Sequence, residues 1–203
     1  ASASGACLSS RDIATNYLYS TIEWVRQLSF FNILTQHDQI TLLQHNWVQL
    51  FILYVSGNSL PLQFNDESNA KDGNTYTEII ERIRSIHMDP FELNSIKAMV
   101  LFNPDTPSLQ ETLKIETLQE KVQTSLDEYC RSQKPHQLGR FGRILLRLPS
   151  LRTVNASTIE TLFFSTFDVP IQMILNDLLN HSYMISKFWP YPMLPQFRIP
   201  SLS

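Results

Sequence analysis

From Trp47 to Val55 the chain reads WVQLFILYV, apolar on nearly every side of any helix it could form. A segment of that kind has no face to give to water, so other parts of the fold must enclose it. Periodicity alone does not separate a buried strand from a buried helix here. The lead-in from Gln36 keeps helical spacing without interruption, which predicts one long central helix. Asp38 falls near its start, where a carboxylate favours the exposed amides of a first turn. Asn58-Ser59-Leu60-Pro61 ends the helix and predicts a short β-hairpin or extended turn.

A chain of 203 residues can bury such a helix within one domain. A formal charge of −3 supplies no electrostatic drive toward nucleic acid. The two cysteines, Cys7 and Cys130, are too few for a disulfide scaffold or a four-cysteine zinc module. No apolar run reaches the length of a membrane span, and ASASGACLSS at the start lacks the parts of a signal peptide, so a soluble intracellular domain is expected. His37, His45, His87, His136 and His181 show no metal-ligand spacing, and neither a phosphate-cradling glycine loop nor a nucleophile elbow is present. Asp127-Glu128 reads as a solvated helix face, and Cys130 as a residue in or beside the core. Catalysis has little support.

Other helices can be read around the central one. Ser9-Ser10-Arg11-Asp12 offers capping side chains ahead of Ile13, Tyr17, Ile22, Val25 and Leu28, a helix of about four turns. A polar loop spans 65–75, and a helix runs from about Thr77 to His87. The next extends from Pro90 to about Phe102, where Asn103-Pro104 stops it. Leu109, Leu113, Leu118, Val122, Leu126 and Tyr129 mark a long amphipathic helix. Beyond Lys134-Pro135, one helix from Leu138 to about Phe164 should bend at Pro149. A short helix follows Val169-Pro170 as far as Leu179. Residues 1–10 and 181–203 read as tails to a domain at 11–180.

Trp24-Val25-Arg26, Phe30, Phe31, Leu34, Asp38-Gln39, Leu42-Leu43 and Trp47 together resemble the signature of nuclear-receptor ligand-binding domains. FGRILLRLPSLRTV, residues 141–154, resembles the long dimerisation helix of the retinoid X receptor and the COUP transcription factors, and Ile159-Glu160 with Leu162-Phe163-Phe164 continues it. LQEKVQTSLDEYCRSQ at 118–133 and Phe188-Trp189-Pro190-Tyr191 are similar to COUP segments. The resemblance covers almost the whole chain after Asp12. It implies an all-α, three-layer antiparallel helical sandwich with a short β-turn or hairpin, in a nuclear, non-enzymatic regulator of transcription. The implied partners are coactivator or corepressor peptides and a second receptor, as a homodimer or as a heterodimer with a retinoid X receptor-like chain. DNA would be met only through a separate domain outside this chain, and no membrane is involved. No cofactor is implied beyond a possible small hydrophobic ligand.

The resemblance also assigns sites. Val25 and Leu43 would line a groove for a partner helix, with Arg26 capping that helix's C-terminal carbonyls; a solvated surface charge is the other reading of Arg26. Ile171, Ile174, Leu175, Leu178 and Leu179 form an apolar stripe matching the activation helix, and Asp177 on its polar side would cap the partner's first amides. Leu175-Asn176-Asp177-Leu178-Leu179 itself has coregulator spacing, so this helix could fill its own groove. Gln44 stands where relatives often carry a second basic residue, Ser29 replaces a common proline, and Asn58 replaces an arginine that anchors a ligand carboxylate. With Tyr17, Phe51 and Tyr54 near Asn58, the pocket is expected to be small or filled. Arg140, Arg143 and Arg147, with Leu145, Leu148 and Leu151, would form a dimer face; a solvated face and a nucleic-acid stripe are the alternatives. Two other functions stay open: a ligand-gated switch, and a helical carrier of small hydrophobic molecules.

Overall fold

The computed structural model describes residues 9–59, 62 and 70–180, with backbone only at 70–74. Among them the chain is helical and contains no strand: α1 Ser10–Gln27, α2 Ser29–Asn32, α3 Gln36–Gly57, α4 Ala70–Arg84, α5 Pro90–Leu101, α6 Thr112–Gln133, α7 Arg140–Leu145, α8 Leu148–Leu151, α9 Ala156–Ile159, a π-helical turn Glu160–Phe164, and α10 Ile171–Asn180. The expected hairpin after Ser59 and both expected tails fall almost wholly outside the described residues.

The central helix is where the apolar run requires it. Leu50, Phe51, Ile52, Leu53 and Val55 of α3 are all buried, and α1, α4, α5 and α10 all pack against that helix. The row continues from α3 to α5, from α5 to α6, and from α6 to α7, as an all-α layered fold demands. The caps explain the boundaries. Ser9 and Asp12 form a reciprocal capping box at the start of α1, and Asp89 and Glu92 do the same for α5. Arg84 closes the far end of α3 by donating to the carbonyls of Val55, Ser56 and Asn58, satisfying groups that the helix leaves unpaired.

Four expectations are corrected. Asp38 does not serve the amides of its own helix; Thr35 caps α3, and the fully buried Asp38 carboxylate accepts from Gln110 N (2.9 Å) and Glu111 N (2.8 Å) in the loop before α6. Helix α4 begins at Ala70, so part of the polar stretch 65–75 is helical, propagated from the packed turns of Tyr76, Ile79, Ile80 and Ile83. Helix α6 starts only at Thr112, since Ser108 sits at φ 65° in the left-handed region and the chain must turn there first.

The largest difference lies at 138–164, where one bent helix becomes three short ones and a π-turn. Pro149 lacks an N–H and stands in the first turn of α8, so it opens a new helix rather than bending an old one. Beyond Arg152 the backbone leaves the helix, and Asn155 caps a fresh start by accepting from Ser157 N at 2.9 Å.

Candidate functional site

Helix α10 runs beside α1 and the first half of α3. Two hydrogen bonds fix its direction: Gln44 Nε2 donates to Gln172 O (3.3 Å), and Gln36 Nε2 donates to Asn180 Oδ1 (3.0 Å). The start of α10 therefore lies by the middle of α3 and its end by the start of α3, an antiparallel arrangement. Ile171, Leu175 and Leu179 are buried, one per turn, while Ile174 and Leu178 are half-buried against the core. Asp177 is exposed on the outer side, as is Met173. Each well-buried leucine is worth roughly 1.5–3 kcal/mol, so the apolar stripe outweighs the two amide contacts in holding the helix.

Beneath this helix, Val25 and Leu43 are fully buried. Arg26 is partly exposed at the end of α1, with its guanidinium 3.3 Å from Glu23 and its carbonyl accepting from Asn32 Nδ2. Of the expected groove residues, Gln44 is the one joined to α10 by a hydrogen bond described above, while Arg26 is engaged by Glu23 and Asn32. Gln44, an uncharged side chain, spends its amide on the α10 backbone.

The candidate pocket residues Tyr17, Phe51 and Tyr54 are engaged in ring contacts. Phe51 packs against Trp47 (centroids 6.4 Å), Phe163 (6.2 Å) and Phe164 (5.8 Å), and Tyr17 lies 5.4 Å from Tyr54. Such tilted and edge-on pairs add to simple burial. The π-turn delivers Phe163 and Phe164 together, and Phe167 stacks on Phe164 at 5.9 Å. Asn58 is spent on its own helix, donating to Tyr54 O.

The arginine stripe does not form a single face. Arg140 is buried, donating to both Glu92 oxygens and to the carbonyls of Ile86 and His87, where His87 holds a left-handed φ of 51°. Its placement by helical period is overturned because two carbonyls of the α4–α5 connection and both carboxylate oxygens of Glu92 in α5 draw the guanidinium inward. Arg143 remains exposed, Arg147 is partly buried, and Leu151 is buried in the core. Leu145 and Leu148 are half-buried, and Leu146, absent from the expected face, is exposed.

Two clusters escaped the sequence reading. Around Glu92, Arg140 and Lys134 converge with Asp89 and Tyr129. Burial raises the Glu92 carboxyl, but hydrogen bonds from Arg140 and Lys134 prevail and hold it below its ordinary value. The neighbouring Cys130 thiol is pushed up to about 11, first by burial and then by the Glu92 charge. The spacing Asp89-Pro90-Phe91-Glu92 was the available signal, being a capping box with proline in the first turn. Elsewhere, Lys97 is buried with its amine 4.1 Å from the Trp24 ring centre and 5.3 Å from that of Tyr54, and burial lowers it to about 7. Asn94 Oδ1 accepts from it at 3.2 Å.

No helix among the described residues is long and apolar enough to cross a membrane, and no group of three or more metal-ligating side chains occurs among them. Residues 9–167 match the ligand-binding domain of nuclear hormone receptor. The chain is 38% identical over 199 residues to the fruit-fly (Drosophila melanogaster) protein named steroid receptor seven-up, isoforms B/C, covering 89% of this chain and 36% of that protein. It is 35% identical over 204 residues to nuclear receptor subfamily 2 group F member 6 of Mus musculus, and 34% identical to group F member 5 of Danio rerio, covering 89% of this chain and 50% and 49% of theirs. The chain thus spans between a third and a half of the relatives it matches. With its layered helices, its signature between α1 and α3 and these relatives, the chain belongs to the nuclear hormone receptor ligand-binding domains, in the group related to the COUP transcription factors.

Proposed function

We propose that this domain regulates transcription in the nucleus by receiving coregulator helices in the groove between α1 and α3, and that its own α10 occupies that groove at rest. The observation that carries the reading is the stripe of Ile171, Leu175 and Leu179 buried against α1 and α3, in a segment with the leucine spacing of a coregulator helix. A tethered helix competes at an effective concentration of about millimolar, so a weak intrinsic affinity suffices to hold the groove. The packed rings of Trp47, Phe51, Phe163 and Phe164 favour a constitutive or self-blocked regulator over a ligand-gated switch or a carrier, each of which needs room in the same interior.

Dimerisation belongs to the same proposal. The α7–α8 region offers exposed Arg143 and Leu146 beside half-buried Leu145 and Leu148, a mixed patch of the kind that forms an interface with an apolar centre and a charged rim. Arg140 and Leu151 would support that patch from within. DNA contact would belong to a part of the protein outside this chain.

The test uses a fluorescent two-turn peptide with leucines at i, i+3 and i+4. Its binding to the chain should weaken about three- to tenfold on Arg26→Ala, because the residue caps the peptide's last carbonyls at a partly buried position. Unchanged peptide binding by Arg26→Ala, in a variant that unfolds at the wild-type temperature, would count against the groove. Binding of a hydrophobic dye at the interior with no peptide recruitment would instead favour the carrier.

A further inference from the structure

The α2–α3 turn, the start of α6 and the end of α10 meet at one corner of the fold. Thr35 N donates to Glu111 Oε2 (2.8 Å), Lys114 Nζ donates to Ile33 O (2.8 Å), and His37 Nε2 lies 2.9 Å from Ser108 O. Gln36 Nε2 donates to Asn180 Oδ1, which brings the last residue of α10 to the same corner. Two large apolar side chains stand exposed there, Ile33 at 57% and Leu113 at 79%. A single exposed apolar residue is ordinary. This pair comes from distant parts of the sequence, is drawn together by the Lys114 bond, and forms a patch of the kind that receives a partner.

The charge around the patch narrows the choice of partner. At about 100° per residue, Leu113, Glu116, Thr117 and Glu120 share one sector of α6, with Lys121 at its margin, and all of them are exposed. Neither glutamate is paired with a cation among the described residues, and Lys114 is spent on Glu111 and the Ile33 carbonyl. The surface is therefore apolar with an acidic flank, and an apolar, basic occupant fits it. Such a segment leaves from the same corner. Beyond Asn180 the sequence continues through 181–203, which lie outside the described residues and contain Lys187 and Arg198 but no aspartate or glutamate. Between these cations runs Phe188-Trp189-Pro190-Tyr191-Pro192-Met193-Leu194-Pro195. Its prolines restrict the free chain and so lower the entropy lost on docking. Reach is sufficient, because the path from Asn180 to Phe188 spans up to roughly 29 Å, whereas Gln36 and Ile33 are separated by at most about 11 Å of chain.

We propose that the patch of Ile33 and Leu113 is a docking site for the chain's own segment 187–195, with Phe188 and Trp189 against the two apolar side chains and Lys187 toward Glu116 and Glu120. The tether supplies an effective concentration of about millimolar, so a contact of this small size suffices. Since the segment leaves from the end of α10, docking ties that end to the corner of α2 and α6. The site is distinct from the groove between α1 and α3 and does not depend on what fills that groove.

The test uses the full chain labelled with fluorotryptophan, in which a Trp189→Phe variant identifies the ¹⁹F resonance of Trp189. Ile33→Ser combined with Leu113→Ser removes the patch at two exposed positions, where substitution costs little stability, and unmoved resonances of Trp24 and Trp47 verify the fold. The Trp189 resonance should stand apart from that of the urea-unfolded chain and return toward it in this double variant. Trypsin should cut after Lys187 about tenfold faster in the double variant, since cleavage follows the undocked population. Glu116→Gln with Glu120→Gln, a second variant confined to exposed positions, should speed the same cut by about two- to fivefold. Protection in the wild type should be the same at every protein concentration. The proposal is overturned by an unfolded-like Trp189 resonance in the wild type, or by a cleavage rate that both variants leave unchanged. Protection that grows with protein concentration would overturn it too, and would assign the patch to a second copy of the chain.

Discussion

Lys97→Met should stabilise the domain, and should do so most below neutral pH. The amine is buried, and among the described residues it meets the Asn94 side chain and the rings of Trp24 and Tyr54. Burial brings it from its ordinary 10.5 to about 7. The unfolded chain keeps that proton up to about pH 10.5, while the folded chain releases it near 7, so between these values the unfolded state binds more protons and stability rises with pH. Below pH 7 both states are charged, and the full penalty of holding a buried cation is present, on the order of 5 kcal/mol. The opposing effect is the attraction of the cation for the two rings, worth about 2 kcal/mol when desolvated. Burial wins by this comparison. Methionine keeps the stem's apolar contacts and removes the charge, so urea unfolding near pH 6.5 should show a gain of a few kcal/mol. That gain should shrink steadily toward about pH 9.5, with the wild type itself becoming more stable along the way. A variant less stable than the wild type at every pH, or a wild-type slope unchanged by the substitution, would show that the rings hold the lysine charged and would refute the reasoning.

Further outcomes follow from the same contacts. Arg140→Met should destabilise by about 3–5 kcal/mol, because it strands the Glu92 carboxylate in the interior, and adding Glu92→Leu should recover much of the loss; a double-mutant cycle by chemical denaturation measures the coupling. Since Glu92 is held below its ordinary value, its contribution is present at neutral pH and is lost as pH falls below about 4, so the acid limb of the wild-type profile should flatten in the double variant. Gly57→Ala should change stability by no more than about 1 kcal/mol, because the new methyl meets only Leu93 Cδ2, the far end of a half-buried side chain that can turn aside, and alanine favours the helix; a fall in thermal midpoint matching several kcal/mol would show that Leu93 cannot move.

The sequence was most readable where a residue's environment follows from its neighbours along the chain. The enclosed run of α3, the capping residues of α1 and the stripe of α10 all depend on local period and capping chemistry, and each lies where that chemistry puts it. Reading failed where the deciding partner is distant. Arg140 has the same helical phase whether it faces water or Glu92, which stands 48 residues away, and only the fold supplies the acceptors. Lys97 sits in an apolar stretch whose helical period says nothing about two rings contributed by α1 and α3. The interruption at 146–155 was half-visible: Pro149 marked a disturbance, but whether a proline bends a helix or begins another depends on how the flanking turns pack. Around α10, residue types were legible, whereas the antiparallel lie of α10 along α3 depends on the contacts of Gln36 and Gln44, which no local pattern announces.

On the proposed reading, α10 fills a groove made for another helix. Its most direct test compares the affinity of the same leucine-motif peptide for the full chain and for a chain ending at Asp168, each checked for cooperative unfolding. A full-length Leu175→Ala, Leu179→Ala variant, which loosens α10 without removing it, guards against effects of the new terminus. Self-occupancy predicts about ten- to hundredfold tighter binding after either change, since the competitor at about millimolar effective concentration is gone. Equal or weaker binding by both altered chains would contradict it, and would mean that α10 completes the site rather than closes it.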